Sequence, residues 1–359
     1  MKLLVAVQDY PNNFGGKNGA FVHTRNLEYV KSGISVTVMN FSAADGYLID
    51  GIAVKTEREI AAQNELYYDF LLCHAANIRN HYRFIKRYRN RFKKIFFFFH
   101  GHEILKIHQV YPKDYSYVKT IFVKTIVRDI YDALKCKLWH QYFKSTKDNY
   151  YCIFVSHWMY HEFQKWIKVN IDGKYSIIYN VVGTDFINNH YDALSEKEYD
   201  FVTIRTNLDG SKYCMDLVNE IAKRNPFYKF LVIGKGTFFN FNQKAENLIW
   251  LNTTMNHNEI IQILDKCKCA LMPTKTDAQG VMACEFATYG IPMITSDIEV
   301  CREVFDVFSN VAYINNDNAA VDIDKLYFSI KDKSIETVSK YDLKHTVMQE
   351  IRLLERAMG

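Results

Sequence analysis

Two tandem α/β domains, each a Rossmann-like, doubly wound parallel sheet, are the architecture that this 359-residue chain predicts. Three observations point there. Short apolar runs alternate with helical patterns along the whole length, the signature of parallel sheets covered by helices. The length exceeds one domain of about 100–200 residues. The composition is globular, with 48% hydrophobic and 24% charged residues and only 15 Gly and 5 Pro, which excludes collagen-like, Pro-rich or long disordered chains.

The first apolar run, residues 3–7, is too short for a secretory signal and is followed by Asp9 and Pro11, so it reads as a buried strand. A Gly-bearing loop over 14–19 leads into a helix through Val22, Leu27 and Val30 that ends at Gly33, and a strand follows over 35–41. Further strands are expected at 70–73, 95–99, 152–155 and 174–179, closing a first domain over 1–180. A second series at 199–204, 229–233, 248–251, 269–273 and 292–295 builds a second domain over 181–335. Residues 342–358 read as an amphipathic helix inside a terminal segment, 336–359, expected to pack back on the first domain.

The longest strongly apolar run, 95–99, falls far short of the about 20 residues that span a bilayer. Eight cysteines at 73, 136, 152, 214, 267, 269, 284 and 301 form no C-x-x-C pair, which fits reduced thiols in a cytoplasmic protein. Cys267 and Cys269 read as core residues rather than metal ligands. Charge is uneven: residues 1–150 hold 23 Lys and Arg against 13 Asp and Glu, a balance of +10, while 151–359 hold 22 against 27, a balance of −5.

Much of the excess lies in two basic, aromatic stretches. Residues 79–94 place eight cations in sixteen positions among Tyr82, Phe84, Tyr88 and Phe92; residues 119–147 mix seven with Phe122, Ile126, Trp139, Tyr142 and Phe143. Helices of that kind suit an anionic membrane face. The alternative is a solvated face whose aromatics belong to the core. No nucleic-acid motif accompanies them, so nucleic acid is not expected as a partner.

Chemistry concentrates in residues 273–292. A strand ends at Pro273, a polar loop carries Asp277, Gly280 opens a helix and Glu285 sits five residues in. A helix start offers unpaired N–H groups and partial positive charge, a site for phosphate. The bland reading makes Asp277 a loop or capping residue and Glu285 a surface carboxylate. Gly234-Lys235-Gly236 lacks the third glycine of a dinucleotide fingerprint, and no P-loop occurs.

The spacing Asp277-x7-Glu285, followed by Ala287, Gly290 and Pro292, resembles the E-x7-E signature of the retaining GT-B glycosyltransferases of family 4, the glycosyl transferases group 1, with Asp in place of the first Glu. The resemblance implies two domains facing a cleft, with acceptor bound by the first and nucleotide sugar by the second. It implies Asp277 at the donor sugar, Glu285 at the ribose, and backbone amides at Gly280, Val281 and Met282 at the diphosphate. Gly15 and Gly16 match the family's N-terminal glycine loop, and His100 its histidine beside the reacting sugar. Arg205 and Lys212 match the cations that hold the diphosphate, and Gly234 its Gly-x-Gly turn. Residues 180–185, Asn-Val-Val-Gly-Thr-Asp, replace the shorter Asn-Gly-Val-Asp of relatives at the crossover.

The activity that the resemblance implies is therefore retaining transfer of a sugar from a nucleotide diphosphate, UDP before GDP, to a hydroxyl of a glycan acceptor that is expected to be lipid-linked and used in surface polysaccharide biosynthesis. His100, Asp277, Arg205 and Lys212 carry the catalysis, with no cofactor and no metal, on the inner face of the cell membrane. The alternatives are a sugar-nucleotide epimerase or glycan phosphorylase on the same fold, or a non-catalytic binding partner. Oligomeric state is left open.

Overall fold

The computed structural model describes residues 1–13, 15–16, 18–63, 68–119, 122–146, 149–333 and 339–358. Phe14 and Lys17 of the glycine loop, and Lys147 of the second basic stretch, lie outside the described residues. The chain forms two compact units. One comprises Met1–Ile107, Arg128–Val181 and Leu343–Gly359, the other His108–Val127 and Val182–Asp342.

The first unit is built on eight strands: β1 (Lys2–Val7), β2 (Ser35–Asn40), β3 (Tyr47–Ile49), β4 (Ile52–Lys55), β5 (Phe70–His74), β6 (Lys94–Phe99), β7 (Tyr150–Phe154) and β8 (Tyr175–Ile177). Their order is β3-β4-β2-β1-β5-β6-β7-β8. All pairs are parallel except β3 with β4. The central strands are apolar without alternation because helices cover both faces. One face packs Leu3, Val5, Val38 and Phe70 against Tyr29 and against Val347, Ile351 and Leu354 of the helix Leu343–Met358. That helix is pinned by a buried ion pair, Arg25 Nε donating to Glu350 Oε1 at 3.2 Å, both residues 1% exposed, while the Tyr29 hydroxyl donates to Oε2.

Aromatic rings fill the other face. Phe97, Trp139, Tyr142, Phe143 and Phe163 meet with ring centroids 5.2–5.7 Å apart, which is where much of the 15% aromatic content goes.

The second unit has six parallel strands: β9 (Tyr199–Asn207), β10 (Phe230–Lys235), β11 (Leu248–Leu251), β12 (Cys267–Leu271), β13 (Met293–Ser296) and β14 (Val311–Ile314). Their order is β11-β10-β9-β12-β13-β14, which is the 3-2-1-4-5-6 order of the Rossmann fold. The order in which strands are added reverses between β9 and β12, so the rule for such sheets puts a ligand outside the carboxyl ends of those two strands. Residues 108–127 fall with this unit, although the sequence places them inside a domain over 1–180. The reason is local: Tyr115 and Tyr117 join its core, and their hydroxyls donate to Asp216 at 3.1 Å and Asp209 at 2.7 Å.

Strands β3, β4 and β14 are not anticipated by the sequence reading. The basic stretch 79–94 also differs from a surface helix. It is a helix over His81–Tyr88, a 3-10 turn over Arg89–Arg91 and then the start of β6, with Phe84, Tyr88 and Phe92 buried. All eight cysteines are free and buried. Among the described residues no helix is long and apolar enough to cross a membrane.

Candidate active site

Arg205 lies near the carboxyl end of β9, on one side of the switch point, and is 6% exposed. Its Nη2 donates to the Pro273 carbonyl at 2.8 Å, just beyond β12, and the guanidinium lies 4.7 Å from the Tyr213 ring. Its Nε is buried without a hydrogen-bond partner among the described residues. Burial lowers its pKa, while Tyr213 and Asp277 pull the other way. Lys212 sits in the 3-10 turn Ser211–Tyr213 with Nζ 4.7 Å from the Tyr213 ring and 5.1 Å from Tyr111. Although burial opposes it, the pKa of Lys212 is raised, chiefly by Asp277. Both cations thus feel one carboxylate.

The loop after β12 is tied to that turn. Lys275 N–H and the Thr274 hydroxyl both donate to the Lys212 carbonyl, at 2.7 and 3.2 Å, so the cationic turn and the acidic loop hold one another. Asp277 Oδ1 accepts from the Ala278 amide at 2.8 Å. Gly280 then takes φ +74°, a conformation open to glycine, and caps the helix Val281–Tyr289 with no side-chain hydrogen bond. The first amides, Val281 and Met282 among them, have no acceptor within the helix itself. They are available to an anion.

Glu285, five residues after Gly280, is 7% exposed rather than a surface residue. Its Oε1 accepts from Gly183 N–H at 3.1 Å and stands 3.8 Å from His257 Nε2, and His257 Nδ1 is 3.4 Å from Asp185. Burial raises the Glu285 pKa, opposed by His257. Gly183, Asp185 and His257 were not anticipated at the site. Gly234, at the end of β10, is obligatory: a Cβ there would lie 2.1 Å from the Arg205 carbonyl.

The remaining candidates lie in the first unit. His100 follows β6, where its amide and that of Gly101 donate to Glu103 at 2.9 and 2.6 Å, fixing the strand exit. Its ring stacks on His74 at 5.5 Å and 21°, with His74 Nδ1 and His100 Nε2 3.3 Å apart, and Phe21 meets it edge-on at 5.0 Å. Burial, then the Arg25 charge, pushes its pKa down to about 3, so the ring is neutral at physiological pH. It is also hydrogen-bonded to Asn180, whose Oδ1 accepts from Arg25 at 3.3 Å. Glu103, His74 and Arg25 are partners the sequence did not reveal. Gly15 and Gly16 form a turn closed by Asn12, whose Oδ1 accepts from Gly16 N–H at 3.1 Å. Among the described residues no three His, Cys, Asp or Glu cluster as a metal site.

Residues 201–326 match the family model of the glycosyl transferases group 1. No curated protein matches the chain. Solved structures match it over nearly their whole lengths. Sucrose-phosphate synthase from Thermosynechococcus elongatus superposes with a TM-score of 0.69 at 10% identity, covering 99% of each chain. A glycosyltransferase from Rickettsia africae gives 0.64 at 12%, covering 99% of this chain and 98% of the other. The Anabaena protein HepE, solved with UDP and glucose, gives 0.60 at 10%, covering 99% and 100%. The chain therefore has the GT-B fold over its full length, and Arg205, Lys212, Gly234, Asp277 and Glu285 of its second unit lie in the segment that matches the glycosyl transferases group 1.

Proposed function

We propose that the protein transfers a sugar, with retention of anomeric configuration, from a nucleotide diphosphate donor to a hydroxyl of a glycan acceptor. One observation carries this reading: Arg205, Lys212, Asp277 and the uncapped helix start at Gly280 converge at the switch point of the second unit's sheet. UDP is the favoured nucleotide, in line with the UDP and glucose bound by HepE.

As the bond from the anomeric carbon to the phosphate oxygen breaks, negative charge grows on the diphosphate. Arg205 grips phosphate oxygens with a planar fork, Lys212 adds a point charge, and the amides of Gly280, Val281 and Met282 supply dipoles. Such prearranged groups favour the transition state over the bound donor. They are positive without a metal ion, so the reaction is assigned as metal-independent. Asp277 accepts hydroxyls of the donor sugar, Glu285 those of the ribose, and Gly234 lets backbone approach the nucleotide. The acceptor oxygen bonds to the anomeric carbon on the face that phosphate leaves, and its proton passes to a phosphate oxygen. His100, held neutral, hydrogen-bonds the reacting sugar, and Gly15 and Gly16 let the backbone come close. The first unit takes the acceptor.

A lipid-linked acceptor of surface polysaccharide assembly, met at the inner membrane face, fits one surface. The helix Phe122–Ser145 exposes Phe122, Val123, Val127 and Ile130 by 60–75% beside Lys124, whereas the aromatics of 79–94 are committed to the core. Binding to vesicles containing anionic lipid, weakened at least tenfold by Phe122→Ser with Ile130→Ser, is expected; equal binding by the variant removes this part of the proposal.

The function itself is tested by incubating the protein with UDP-sugars and following UDP release and product configuration by NMR. Release of UDP with a retained anomer, lowered about 10²–10³-fold in Arg205→Ala, is expected. An isomerised nucleotide sugar, or phosphate-dependent breakdown of glycan, establishes the epimerase or the phosphorylase instead.

A further inference from the structure

Between the helix Phe122–Ser145, the end of the helix His157–Ile167 and the loop after β6, the first unit forms a cavity of about 450 Å3, within the about 300–1,000 Å3 of small-ligand pockets. Lys106 comes from that loop, Lys137 and His140 from the first helix, and Lys165, Trp166 and Lys168 from the end of the second. All the lining residues, and their neighbours along the chain, are described. Four ammonium groups therefore share one concavity, and no lining residue is a carboxylate.

The frame that holds these cations is built from specific contacts. The Trp166 indole N–H donates to Glu162 Oε2 at 2.5 Å, which fixes the ring, and Lys106 Nζ and Lys165 Nζ lie 5.1 and 4.8 Å from it. Two cations from different elements are thus drawn to one indole. His140 Nδ1 donates to the Ile167 carbonyl at 2.8 Å, tying the two helices together. Lys168 caps the second helix at φ +55°, the left-handed conformation that favours glycine, so backbone strain is accepted at a position that carries a cation into the lining. Among the described residues only Lys165 of the four has an acid, Glu162 Oε1 at 3.4 Å. Gathering like charges costs free energy through their repulsion, and an anion placed among them relieves it.

We propose that this cavity binds a phosphate group, carried by a soluble ligand or by a lipid headgroup. Ammonium groups that arrive from three elements suit the tetrahedral spread of phosphate oxygens. A planar carboxylate is matched instead by the fork of arginine, and no Arg lines the cavity. The concave wall focuses the field of the four charges and raises the local concentration of anions. The site is made of first-unit residues alone and goes beyond the transferase reading, on which it does not depend.

The test follows acetylation of individual lysines in the full-length protein by mass spectrometry, at fixed ionic strength, with pyrophosphate or with phosphatidylcholine vesicles containing phosphatidic acid. A ligand at about ten times its dissociation constant leaves about one site in eleven free, so Lys106, Lys137, Lys165 and Lys168 should react about tenfold more slowly. Lys223 and Lys325, exposed on the second unit, should be unaffected by pyrophosphate. Protection by pyrophosphate assigns a soluble phosphate, protection by the vesicles alone a headgroup, and either supports the site. In Lys137→Glu, with its fold checked by circular dichroism, protection of the other three should be lost, while Lys223→Glu should keep it. The site is overturned by no protection from either probe, by pyrophosphate protection no greater than that of Lys223 and Lys325, by vesicle protection no greater than that of Lys124 on the same helix, or by protection that persists in Lys137→Glu. Lys212, followed in the same digests, reports on the donor pocket separately, so either reading can fail without the other.

Discussion

At the scale of single residues, Arg205 is nearly buried yet keeps one guanidinium nitrogen without a partner among the described residues. A buried donor left unpaired is costly, so the geometry suits an anion that completes it. Arg205→Ala should lower turnover by about 10²–10³-fold, the usual effect of removing one transition-state donor, with the fold intact by circular dichroism. Arg205→Lys should restore little, since Lys lacks the fork; steady-state kinetics checks both. Glu285→Gln keeps an acceptor for Gly183 and should mainly weaken UDP binding, about tenfold by calorimetry, leaving thermal stability nearly unchanged. Gly234→Ala should destabilise the protein by at least about 1–3 kcal/mol in chemical unfolding, because its methyl meets the Arg205 carbonyl at 2.1 Å. Asp277 and Glu285 were legible from their spacing and from the helix that Gly280 opens. The partners of Glu285 were not, because Gly183 stands 102 residues away in the chain and only the folded unit brings them together. For the same reason the sequence offers His100 but not His74, and no short-range pattern announces Glu103 as the clamp on the strand exit.

Among the elements, the helix Leu343–Met358 carries the clearest stability argument. Its Glu350 meets Arg25 and Tyr29 inside a dry core, and removing one partner of such a pair strands a charge, at about 3–5 kcal/mol. Glu350→Ala should therefore lower the urea midpoint sharply. It should also reduce transfer, because Arg25, once released, no longer holds Asn180 beside His100. The amphipathic pattern of this helix was readable; its ion pair, spanning 325 residues, was not. Strands β3 and β4 were missed although their turn is written plainly: Asp50-Gly51 takes φ of 47° and 78°, the paired left-handed conformation of a tight hairpin. Strand β14 has only four residues, as do β11 and β13, and over so short a run periodicity does not separate a strand from a loop, so such strands are found or missed by their flanking signals. The basic stretch 79–94 misled for a different reason. Its aromatics recur at positions 84, 88 and 92, a helical spacing that fits a core face as well as a membrane face, and here it is the core.

For the molecule as a whole, both sheets and their separation into two units followed from the alternation of apolar runs with helical patterns. Segment 108–127 did not, since two tyrosine hydroxyls decide its allegiance. Burial also sets the response to acid. It holds His81 down to about 4 and His100 down to about 3, and keeps His74 well below its ordinary value. Between pH about 6.5 and those values the unfolded chain binds protons that the folded chain does not, so stability falls as pH drops through that window. Glu103 and Glu285, raised by burial, act in the opposite sense above pH about 4.5. Guanidinium midpoints should therefore fall between pH 6.5 and 4.5, and His81→Gln should flatten part of that slope; an unchanged slope contradicts the assignment. Arg205 and Lys212 of the second unit are proposed to hold the donor diphosphate, and thermal unfolding against UDP, GDP, ADP and CMP tests that assignment. A nucleotide at a hundred times its dissociation constant adds about 2.7 kcal/mol. UDP should raise the midpoint of the wild type by several degrees and leave Arg205→Ala almost unmoved. No response to any of the four, or an equal response in the variant, would contradict it.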